Sequence, residues 1–92
     1  MVFDPTSIFT ALANFFSFTE KLSPAIIDWL EAQIPAERQR VMAQRIRRCK
    51  WTCRRQKLSR PLIAMQVRLL FSDLTLAQQS DIEALISFEL GK

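Results

Sequence analysis

The chain has a single glycine, Gly91, beside its C-terminus, and this limits its fold more than any motif does. Tight hairpins rely on glycine for positive backbone φ, so 92 residues without an internal glycine have little means of turning one strand into the next. Proline is scarce too, and Pro5, Pro24, Pro35 and Pro61 read as helix-start markers, because the missing N–H costs nothing at the first helical position. Ala, Leu, Gln, Glu and Arg, all good helix formers, fill the intervals. The expectation is an all-α, compact bundle of four to five helices, forming one helical domain over residues 1–92.

Periodicity assigns the faces. A first helix over residues 5–18 puts Ile8, Phe9, Leu12, Phe15 and Phe16 on one broad arc and carries no charge. The pair Ser23 and Pro24 caps a second helix whose core stripe is Ile26, Ile27, Leu30 and Ile34, with Asp28 and Glu31 outward and available to the basic helix. The third and longest helix runs over residues 35–58, with Met42, Ile46, Cys49 and Cys53 as a narrow packing seam. A fourth begins at Pro61 and is apolar nearly all round, the pattern of a helix at the centre of a bundle. Thr75 and Gln78 form a capping box for the last helix, with Ile82, Leu85, Ile86 and Leu90 inward and Gly91 at its C-terminal end.

Charge is distributed very unevenly. Ten of the thirteen Lys and Arg residues lie within residues 38–60, where Glu37 is the only nearby acid. Residues 1–36 carry one base and four acids, and residues 61–92 carry two bases and four acids, so the net charge of +4 conceals a dipolar chain. A cluster this dense attracts polyanions, whether nucleic acid, an acidic protein surface or an anionic membrane. On a helical wheel Arg40, Arg47, Lys50, Arg54, Arg55 and Lys57 spread opposite the core seam, with Trp51 among them. Guanidinium and ammonium groups neutralise phosphates, and an indole face stacks on an unpaired base. A structural alternative covers Trp51 with another helix or a second protomer, Arg stems lying over its ring. Similarly, the cations could form a solvated face balanced by Asp28, Glu31 and acids of neighbouring helices.

Other chemistries find little support. His and Tyr are absent, no glycine-rich loop could cradle a phosphate, and no carboxylate pair is spaced for acid–base work. Cys49 and Cys53 lie one helical turn apart, a spacing that suits neither a disulfide framework nor a zinc site, although the adjacent arginines could activate a thiol. No catalytic residue, metal ligand set or cofactor is therefore expected. Reduced cysteines and an N-terminus without a basic signal region point to an intracellular, soluble setting. Residues 5–19 are uncharged and rich in Phe but too short to span a bilayer; peripheral membrane association through them is the weaker alternative to a core or dimer-interface role. The favoured function is a small, non-enzymatic protein that binds nucleic acid through phosphate contacts of the third helix. The runner-up is an oligomeric interaction module for an acidic protein surface.

Overall fold

The computed structural model describes residues 22–92, so the expected helix over residues 5–18 lies outside them. Within the described residues the fold is an all-α bundle of four helices: α1 (Pro24–Gln33), α2 (Ala36–Arg55), α3 (Arg60–Leu70) and α4 (Leu76–Glu89). Each packs on the next, and α1 closes the ring by packing on α4. Short connections make consecutive helices antiparallel neighbours.

The helix ends follow from local chemistry. Ser23 caps α1, its Oγ accepting from the Ile26 N–H at 3.2 Å, and Pro24 follows in the first turn. At α4 the capping box is complete: Thr75 Oγ1 accepts from the Gln78 N–H at 3.1 Å, and Gln78 Oε1 accepts from the Thr75 N–H at 3.2 Å. Pro35 occupies the N-cap of α2, one position earlier than a first-turn proline, and Ser59 with Arg60 precedes Pro61 at the start of α3. Both α2 and α4 end in the same hydrogen-bonded turn. Past α4, the N–H groups of Gly91 and Lys92 donate back to the Phe88 and Ser87 carbonyls, with Gly91 at φ +71°. Past α2, Lys57 and Leu58 donate to Arg54 and Cys53. There Lys57 takes the left-handed position at φ 51°, where glycine would fit without a Cβ penalty.

The core runs the length of the bundle. Leu22, Ile26, Leu30 and Ile34 contribute from α1 and its flanks, Met42, Ala43, Ile46, Cys49 and Cys53 from α2, Ile63, Val67 and Phe71 from α3 and its cap, and Ile82 and Ile86 from α4. The seam expected for the basic helix is thus realised, and Leu85 and Leu90 pack on the core while staying partly exposed.

In α3 the structure corrects the sequence expectation. This helix is not central: only Ile63 and Val67 within it are buried, whereas Leu62, Met65 and Leu69 are exposed, Leu69 at 74%. Its apolar content exceeds what one inward face can cover, because a helix of a four-membered ring offers the core only a single stripe.

Burial also settles the character of the cysteines. Both are free thiols with no exposed surface. Burial, reinforced by the charge and hydrogen bond of neighbouring Cys53, pushes the Cys49 thiol up to about 12, and burial likewise raises Cys53. Both shifts run opposite to activation, so the arginines of the same helix do not make these thiols reactive. Native protein should react with a thiol reagent such as DTNB only as fast as it opens, and urea should release both thiols. Rapid labelling of native protein would contradict this packing.

Candidate nucleic-acid interface

Helix α2 carries its core seam on one side and a polar stripe on the other. Gln44, Arg47, Arg48, Trp51, Thr52 and Arg55 follow each other in alternate steps of three and one, the spacing of a continuous helix face. Trp51 is 52% exposed at the middle of this stripe. Two shallow grooves meet at it. One, of about 580 Å³, is lined by Gln44, Arg47, Arg48, Trp51 and Thr52; the other, of about 380 Å³, is lined by Arg47, Lys50, Trp51 and Arg54.

Helix side chains lean toward the N-terminus, so each residue overlies the turn before it. Accordingly the Arg55 guanidinium lies over the Trp51 ring, 5.0 Å from its centroid. The expectation that an arginine stem packs on this ring is thus partly met, yet the indole keeps half its surface open.

The basic run divides into two groups. Arg38 and Arg45 reach Asp73 at 3.6 and 2.7 Å, Lys50 reaches Glu89 at 3.0 Å, and Arg60 reaches Glu83 at 3.3 Å. By contrast, among the described residues no carboxylate lies within ion-pairing distance of Arg48, Arg54, Arg55 or Lys57. The acids that pair with α2 are Asp73, in the turn before the last helix, and Glu89, at the end of that helix; Glu83 of α4 pairs with Arg60 on α3. Asp28 and Glu31, the acids expected to pair with it, are exposed and make no ion pair among the described residues.

The expected contact residues are thus only partly gathered. Arg47, Trp51, Arg54 and Arg55 form the centre of the site, with Arg47 half-buried between the grooves. Arg40 is exposed one to two turns toward the N-terminus, and Lys57 is exposed beyond the end of the helix; neither lines a groove. Lys50 does not stand on the outward ridge: it is only 7% exposed, and its ammonium meets Glu89 at the end of α4. Sequence reasoning passed over Arg48, Gln44 and Thr52. Their signal was present, since Arg48 stands four residues after Gln44 and three before Trp51.

Asp73 organises one edge of the bundle. Burial works against its ionisation, but the Arg45 hydrogen bond, a backbone hydrogen bond, and the charges of Arg45 and Arg38 outweigh that and hold its carboxyl below the usual value of 3.8. A carboxylate depressed on folding stabilises the protein fully above its unfolded pKa, and the contribution disappears as pH falls through the folded value. Stability should therefore decline more steeply below about pH 4 in the wild type than in Asp73→Asn, as urea midpoints across that range would measure. Superimposable pH profiles would remove Asp73 from the acid response.

Among the described residues, no helix is long and apolar enough to cross a membrane. Comparison of the chain with protein-family models, with curated proteins and with solved structures finds no match, so its own residues must identify what the site binds.

Proposed function

We propose that this is a non-enzymatic binding protein whose α2 face engages the phosphate backbone of nucleic acid. The observation that carries this reading is the partition of the basic run: Arg38, Arg45, Lys50 and Arg60 are matched to acids, while Arg48, Arg54, Arg55 and Lys57 project without a carboxylate partner among the described residues. Cations on one helix face, with a planar aromatic at their centre, suit a polymer of phosphates and bases better than a smooth anionic surface. Such contacts supply affinity with little sequence preference.

Fluorescence anisotropy with labelled DNA and RNA oligonucleotides at two salt concentrations tests the proposal. Binding should weaken steeply as salt rises, and Arg48→Gln with Arg54→Gln should lower the salt slope by about one unit per lost phosphate contact. No association with any oligonucleotide at low salt would end this reading.

A second reading, self-association, draws support from the exposed stripe Leu62, Met65 and Leu69 on α3, with Leu76 75% exposed after the following turn. An apolar patch of this kind can pair with its own copy across a two-fold axis. Sedimentation would then show a dimer that Leu69→Glu converts to monomer. A wild-type monomer at high concentration would dismiss the reading.

A further inference from the structure

We infer that the α2 face takes single-stranded nucleic acid, with an unpaired base stacked on Trp51 in the groove formed with Gln44, Arg47, Arg48 and Thr52; this rests on the phosphate-binding reading above. The groove, about 580 Å³ in volume, is comparable to clefts that hold small ligands, which run from about 300 to 1,000 Å³.

Its walls combine three chemistries. The exposed indole gives a flat apolar surface. Arg47 and Arg48 bring positive charge from the preceding turn, and the Gln44 amide and Thr52 hydroxyl can each donate and accept hydrogen bonds.

Trp51 is held for this use. Arg55 rests on its ring from the following turn, 5.0 Å from the centroid, which restricts the indole and adds positive charge beside it. On the side of the preceding turn lie Arg47 and Arg48, also residues of the larger groove. A base entering there would meet the indole while its flanking phosphates met the arginines. In a duplex the base faces are already stacked on their neighbours, so only an unpaired strand can use the indole in this way. The second groove, with Arg54 on the other side of Trp51, lets the backbone continue past the stacked base.

The test compares wild type, Trp51→Leu, Trp51→Phe and the Arg48→Gln/Arg54→Gln variant on a thymidine oligonucleotide and on duplex DNA of equal length. Wild type should prefer the single strand, and binding should quench tryptophan emission. Trp51→Leu should lose roughly five- to 150-fold in single-strand affinity together with the quenching, keep its salt slope and bind duplex as before. Trp51→Phe should recover most of the loss. If Trp51→Leu binds the single strand as tightly as wild type while the arginine variant is weakened, stacking is overturned and the phosphate reading stands. Tighter binding to duplex at equal salt, or equally effective competition by poly-glutamate, also overturns the inference. Failure of both nucleic acids to bind at low salt overturns it together with the reading beneath it.

Discussion

Replacing Phe71 with Ala should cost about 3–5 kcal/mol of folding stability, the range for truncating a fully buried aromatic. Phe71 has no exposed surface and heads the fully buried side chains in size. It caps α3, its N–H donating to the Val67 carbonyl at 2.8 Å and its carbonyl accepting from the Leu74 N–H at 3.0 Å, so the backbone holds the ring in place. The Arg45 guanidinium lies 5.6 Å from the ring centroid and simultaneously binds Asp73. Removing the ring therefore opens a cavity and takes away the surface that seats an ion-paired arginine. A domain of this size has about 5–15 kcal/mol in total, so Phe71→Leu provides a milder companion that should cost less than about 1.5 kcal/mol. Urea unfolding with an unchanged m-value would measure both, and a loss below about 1 kcal/mol for the alanine variant would contradict the packing.

Breaking the Lys50–Glu89 pair should have the next largest effect. The ammonium and carboxylate meet at 3.0 Å with 9% and 15% of their side chains exposed. Glu89→Ala would take away the carboxylate that meets the buried Lys50 ammonium at 3.0 Å, at a cost of about 3 kcal/mol, the lower end of the range for buried pairs because Glu89 keeps some contact with water. The pair already carries a desolvation cost, since Glu89 Oε2 is buried without a hydrogen-bond partner among the described residues. Lys50→Met combined with Glu89→Leu should consequently recover most of the lost stability, as chemical denaturation of the two variants would show. Additive losses in the double variant would mean the two groups act independently.

Much of the architecture was legible because it depends on neighbours in sequence. Ser23 before Pro24, and Thr75 three residues before Gln78, specify helix starts through bonds that span a single turn. Met42, Ile46, Cys49 and Cys53 define a seam by spacing alone, and the structure buries all four. Trp51 and its flanking arginines likewise lie opposite that seam, as helix geometry requires. Arg48 belonged to the same face and was overlooked, although its spacing to Gln44 and Trp51 contains the information.

The choice of ion-pair partners was not legible. Periodicity offered Asp28 and Glu31 to the basic helix, but its partners are Asp73 and Glu89, and Arg60 beyond it pairs with Glu83, all at sequence distances where no local pattern operates. Similarly, the apolar composition of α3 suggested a central helix, while the four-membered ring leaves Leu62, Met65 and Leu69 outward.

By itself, the sequence determined an all-α fold, the capped ends of α1 and α4, and a charge-dense helix with its seam on one side. These rest on backbone sterics, capping and the 3.6-residue period, all of which act within a turn or two. Only the tertiary structure decided which cations remain outward. Lys50 and Arg54 sit one turn apart on α2, yet the first is buried and paired with Glu89 of α4 while the second is exposed. Burial is set by what packs alongside, and a helix wheel contains no neighbour.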